Sequence, residues 1–171
     1  MNTLVLYDSQ YGNTERIAQT IAGTLRVFGE VRTALVDHEH DAELRRVDLF
    51  VVGSPMQGWR PTPATQAFFE GISPERIGSL AIALFDTRFR LPRWMTGSAA
   101  KVMAKKFQEK GITLLVPPES FFVKGKEGPL RGGELERGST WAHPARDFVI
   151  RRMFKIAPQG RFSWRRKLHT M

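Results

Sequence analysis

The chain has no cysteine, no long apolar run and, across residues 151–171, no acidic residue. The first absence excludes a disulfide, a thiolate zinc site and an iron–sulfur cluster ligated by the chain itself. The second excludes a membrane-spanning helix from the sequence given, since no stretch approaches the roughly 18 apolar residues that a span requires. The opening MNTLVLYDS lacks the basic flank and small-residue cleavage site of a secretion signal, so a cytoplasmic protein is expected. The third absence locates the charge. Of the formal +9, from 26 Lys and Arg against 17 Asp and Glu, most comes from Arg151, Arg152, Lys155, Arg161, Arg165, Arg166 and Lys167. Those cations alternate with Phe154, Phe162, Trp164 and Leu168, a pattern suited to an acidic protein or an anionic membrane surface. Pro158-Gln159-Gly160 interrupts any continuous amphipathic helix, and nucleic acid is not expected as a partner.

What is present reads as one domain. A 42% hydrophobic and 25% charged composition over 171 residues is ordinary for a globular chain of that size. Strand-length apolar runs occur at Leu4–Tyr7, Val31–Val36, Asp48–Val52 and Leu80–Phe85. A fifth starts at Ile112–Val116, breaks at Pro117-Pro118 and resumes over Ser120–Val123. Helical spacing predicts helices over Thr14–Phe28, Thr65–Gly71 and Ser98–Gly111, the last with Val102 and Phe107 facing inward. A final helix is expected over Glu134–Phe154, entered in earnest after Gly138, and a short exposed one within Asp37–Arg46. Apolar rather than alternating strands, separated by helices, imply a parallel sheet covered on both faces: a five-stranded, doubly wound, three-layer α/β domain.

Sheets of this kind bind ligands beyond the carboxyl ends of their strands, at the point where the winding reverses. That directs attention to Asp8–Asn13, Gly53–Pro63 and Asp86–Gly97, with Lys124–Gly133 a further long loop. The first loop supplies Ser9, Asn13 and Thr14 as polar groups, Gly12 for close backbone approach, and a following helix whose free amides point back into it. It has neither the Gly-Lys-Ser/Thr of nucleoside-triphosphate loops nor the three spaced glycines of the dinucleotide fingerprint. On these residues alone it is a phosphate cradle or a capped turn with Asn13 or Thr14 as N-cap. A phospho-accepting receiver is not expected, because the third strand ends in Gly53-Ser54-Pro55. His38 and His40 lie in a charged stretch and read as a solvated face, not a metal site.

The segment LVLYDSQYGNTERIAQTI resembles the signature of the flavodoxin family, and the likeness continues through VVGSPMQGWRPTPATQAFF and FDTRFRLPRWMTGSAAK. It covers the chain to about Val149, so residues 1–150 are expected to form a flavodoxin-like FMN domain with strand order 2-1-3-4-5, and 151–171 a basic tail. The resemblance implies FMN as cofactor, with Ser9, Tyr11, Gly12, Asn13 and Thr14 at its phosphate. It implies Pro55, Met56, Gln57, Gly58 and Trp59 on one side of the ring, and Thr87, Arg88, Phe89 and Trp94 on the other. Electron-carrier flavodoxins are usually acidic. Here Arg88, Arg90 and Arg93 stand against Asp86 alone, which would favour the anionic reduced flavin by Coulomb attraction. The expected function is electron transfer to a redox partner protein. The alternative is an FMN-dependent reductase or dehydrogenase of a quinone, porphyrinogen-like or other small aromatic substrate, and a non-redox binding module is the weakest reading.

Overall fold

A computed structural model describes residues 2–38, 44, 46–78, 80–145 and 147–148. Its centre is a parallel sheet of β1 (Asn2–Tyr7), β2 (Glu30–Leu35), β3 (Leu49–Pro55), β4 (Ala81–Phe89) and β5 (Glu119–Val123). The strands run in the order β2-β1-β3-β4-β5, as the sequence predicts. Successive side chains on a strand point to opposite faces, so an unbroken apolar run supplies two cores at once. Val5 and Val51 pack below α1 (Asn13–Leu25), against its buried Ile17, Ile21 and Leu25. Leu4, Leu6, Phe50 and Val52 face the other way, with Phe69 of α2 (Pro63–Gly71) and Met103 and Phe107 of α5 (Ala99–Glu109). Met103 rather than Val102 is the fully buried partner of Phe107 on α5.

Two short helices, α3 (Pro74–Ile77) and α4 (Arg93–Thr96), were not expected from periodicity, being too short to express one. The helix predicted over Thr14–Phe28 closes as a 3₁₀ turn at Arg26–Phe28, and Val36–His38 forms another such turn. The rest of Asp37–Arg46 lies largely outside the described residues, as does the tail 151–171.

Three boundaries differ for physical reasons. Ile112–Val116 is not a strand: the Leu115 amide donates to the Ile82 carbonyl at 2.7 Å, but Pro117 and Pro118 lack the amides to extend a ladder. Strand β5 therefore begins only at Glu119. Strand β4 runs on to Phe89, since Phe85–Phe89 pair with Glu119–Val123, so Thr87, Arg88 and Phe89 sit on strand and not in a loop. The last helix, α6 (Glu134–Trp141), starts at Glu134 and not after Gly138, with Gly133 at its N-cap in the left-handed region. Gly53 is inside β3: a Cβ there would lie 2.0 Å from the Phe85 ring, a close approach only glycine permits.

Candidate functional site

Strand β1 has β2 on one side and β3 on the other, and α1 and α2 leave their strands toward opposite faces of the sheet. The gap this opens at the carboxyl ends of β1, β3 and β4 is a cleft of about 550 Å³.

One end is made by the β1–α1 loop. The Asp8 amide donates to the Gly53 carbonyl at 3.0 Å, and the Glu15 amide to Ser9 Oγ at 3.2 Å. Gly12, at φ 75°, is the N-cap of α1 and provides no side-chain cap, so neither Asn13 nor Thr14 caps the helix. The amides of Tyr11, Gly12, Asn13 and Thr14 have no hydrogen-bond partner among the described residues. Thr14 is buried and shares a 2.8 Å hydrogen bond between its Oγ1 and that of Thr87, while Asn13 Nδ2 donates to the Glu127 carbonyl at 3.0 Å. Beneath them Tyr7 donates its hydroxyl to Glu15 at 3.1 Å, and burial first, then the Glu15 carboxylate, raises the phenol above its ordinary range.

The β3–α2 loop forms one wall. Gln57 and Arg60 exchange backbone hydrogen bonds of 3.0 Å around Gly58 and Trp59, both at positive φ (52° and 69°). This is the two-residue hairpin geometry that favours glycine twice. A tryptophan in that position is strained by about 1–3 kcal/mol and is 53% exposed. The turn is fastened by the Met56 amide to the Thr87 carbonyl at 2.9 Å and by Gln57 to Gln10 at 2.8 Å. Behind it Thr62 caps α2 by accepting from the Thr65 amide.

Strand β4 supplies the floor and the second wall. Asp86 is fully buried and accepts from Ser98 Oγ at 2.6 Å and the Ala100 amide at 2.9 Å, at the start of α5. Burial raises its carboxyl above the ordinary value, against the hydrogen bonds from Ser98 and Ala100 and the Arg88 charge. Arg88, buried, donates through one nitrogen to the Phe89 and Leu91 carbonyls and to Thr96 Oγ1, with its guanidinium 5.1 Å from the Phe122 ring centre. Burial lowers its pKa from the ordinary value and the Asp86 charge opposes this, so it remains a cation.

The structure brings Ser9, Tyr11, Asn13, Thr14, Pro55, Met56, Gln57, Gly58, Trp59, Thr87, Arg88 and Phe89 to the cleft. Gly12, the N-cap of α1, is not among its lining residues. Trp94 does not line it: on the short α4 it is 77% exposed, outside the cleft with Leu91 and Met95. Sequence reasoning missed Gln10, Thr96, Val123 and Lys126. Lys126 comes from the β5–α6 connection, whose length was the only signal for it. Among the described residues no Asp or Glu lines the cleft, whereas Arg88 and Lys126 do.

The sequence model of the flavodoxin family matches residues 5–141. Among solved structures, a flavodoxin from the domain Archaea is 18% identical, with a TM-score of 0.73 over 88% of this chain and 99% of its own. Flavodoxin 2 from Bacillus cereus is 21% identical, with a TM-score of 0.73 over 86% and 99%. The rubredoxin oxygen:oxidoreductase of Desulfovibrio gigas is 18% identical, with a TM-score of 0.71 over 89% of this chain but 37% of its own. No curated protein is similar enough in sequence to count as a match.

Proposed function

This chain belongs to the flavodoxin family, whose members bind FMN non-covalently and pass electrons to redox partner proteins, and from that premise we propose what its own cleft does. Ser9, Tyr11, Asn13 and Thr14, with the free amides around Gly12, hold the FMN phosphate. The fit rests on main-chain donors that have no partner among the described residues, at the positive end of the α1 dipole. Met56, Gln57, Gly58 and Trp59 on one side, and Thr87, Arg88 and Phe89 on the other, bound the flavin ring. Bound there, the cofactor supplies one- and two-electron chemistry; the chain orients it, walls it from water and sets the local charge.

The observation that carries the reading is a cleft joining unpartnered amides to aromatic walls, with Arg88 in its floor and no carboxylate among the described residues that line it. A cation beside the ring, Arg88, favours its reduced, anionic form, so the potential is less negative than that of an acidic carrier. Around the mouth, Trp59, Phe89, Leu91, Trp94 and Met95 are exposed beside Arg60, Arg90 and Arg93. A rim of that composition suits an acidic redox partner, and the basic tail extends the same preference.

A second reading, a reductase or dehydrogenase of a quinone or other small aromatic substrate, is favoured by the same open mouth. The visible spectrum of the purified full-length protein tests the first claim: flavin bands near ~450 nm are expected, and their absence after FMN is added would refute it. Turnover with NAD(P)H and a quinone then favours the enzyme; reduction of a protein acceptor without such turnover favours the carrier.

A further inference from the structure

We infer that Lys126 is the counter-charge of the phosphate end, delivered by the β5–α6 turn to a loop that has no cation of its own. The inference rests on the FMN reading above and concerns one residue which that reading does not require. From Asp8 to Thr14 there is neither lysine nor arginine. Yet Lys126, more than a hundred residues later, lines the same cleft as Ser9, Asn13 and Thr14.

The turn that carries it is held on both sides. After β5 the chain folds back antiparallel: the Lys124 amide donates to the Pro129 carbonyl at 2.9 Å, and the Arg131 amide to the Phe122 carbonyl at 2.8 Å. The tip closes through the Gly128 amide and the Gly125 carbonyl at 3.1 Å. At its base, buried Glu134 accepts from the Phe122 amide and from Arg137, and Arg137 also pairs with Glu119. The tip is then latched to the phosphate loop, because Asn13 Nδ2 donates to the carbonyl of Glu127, the residue next to Lys126. Gly128 lies so close that a Cβ on it would meet the Asn13 side chain at 2.6 Å, and its φ of 107° suits glycine alone.

Lys126 itself has no hydrogen bond or ion pair among the described residues. Its ammonium group, on a flexible stem, can reach a phosphate oxygen that the rigid amides leave free. The consequence is selectivity. A cation placed at this end tightens FMN but adds nothing for riboflavin, which has the same ring and no phosphate. The Asn13–Glu127 contact makes that selectivity depend on the turn staying closed.

The test is titration of the flavin-free, full-length protein with FMN and with riboflavin, read by quenching of flavin fluorescence. Lys126→Gln is expected to weaken FMN about tenfold while leaving riboflavin within about twofold, and raising the salt should narrow the difference. Lys126→Arg should restore most of the FMN affinity. Gly128→Ala, which forces the tip off Asn13, should shift FMN in the same direction as Lys126→Gln and spare riboflavin. An unchanged FMN affinity in Lys126→Gln, or an equal loss of both flavins, would overturn the assignment while leaving the FMN reading intact. A wild-type chain that binds neither flavin would overturn both.

Discussion

Thr14 opens α1 at the cleft and Trp94 sits on the short α4 just outside it, yet one is buried and the other 77% exposed. The β1–α1 side presents main-chain amides, held in place by Gly12, by the Thr14–Thr87 hydroxyl pair and by the Asn13–Glu127 contact. The β3–α2 and β4–α5 sides present large side chains, with Trp59, Phe89, Leu91 and Met95 all well exposed. Fixed donors select by geometry and lose little entropy on binding, whereas exposed aromatics contribute area that a second molecule can share. On the proposed function, one side serves retention of the cofactor and the other exchange with partners. A protein that keeps its cofactor while meeting changing partners needs both.

The largest expected effect comes from deleting the ligand group that the retaining side is built for. Riboflavin should bind at least about a hundredfold more weakly than FMN, as hydrogen bonds to a charged group contribute about 1.5–3 kcal/mol each. Equal affinities by fluorescence titration would erase the distinction between the two sides. Next, Trp59→Ala should weaken FMN and riboflavin alike by about tenfold, the scale of aromatic stacking lost from a half-exposed wall. The ratio of the two dissociation constants should not move, and a change confined to FMN would show that Trp59 serves the phosphate side.

The floor between the sides has its own signature. Burial raises the Asp86 carboxyl above 3.8, so between that value and its folded value the native chain holds a proton that the unfolded chain has released. Its contribution is therefore greatest below 3.8 and falls as pH rises through the folded value. In urea unfolding across that window, the stability of wild type relative to Asp86→Asn should decline with rising pH, and a rise would contradict the assignment. The smallest effect belongs to the rim. Replacing Arg60, Arg90 and Arg93 together by glutamine should change FMN affinity less than about twofold, since exposed charges are screened. The flavin potential should become slightly more negative, and electron exchange with an acidic protein should lose its salt dependence. Spectroelectrochemistry and stopped-flow mixing at two ionic strengths would check both.

Much of this was legible in the chain. The apolar runs at Leu4–Tyr7 and Leu49–Val52 report burial on both faces, and Ile17, Ile21 and Leu25 report the helix above them. The β1–α1 loop was legible because its chemistry is local, with six consecutive residues making nearly the whole cradle. Trp94, expected at the ring, lies outside the cleft lining, because composition marks a residue as aromatic but not which way its short helix turns it. The start of β5 was misplaced because Ile112–Val116 is apolar enough for a strand, and only the Pro117-Pro118 block decides where pairing with β4 begins.

The sequence by itself determined the layering of the domain, the place of the β1–α1 loop and the excess of positive charge, since each follows from spacing or composition over a few residues. Only the tertiary structure decided which charges reach the cleft. Arg88 is drawn down onto the Leu91 carbonyl and Thr96, Arg90 and Arg93 stay on the rim, and Lys126 enters from the far end of the chain. The physical reason is that charge acts over a few ångströms through space, and the order of residues along a chain does not record that distance until the sheet brings β5 beside β4 and the turn closes on Asn13.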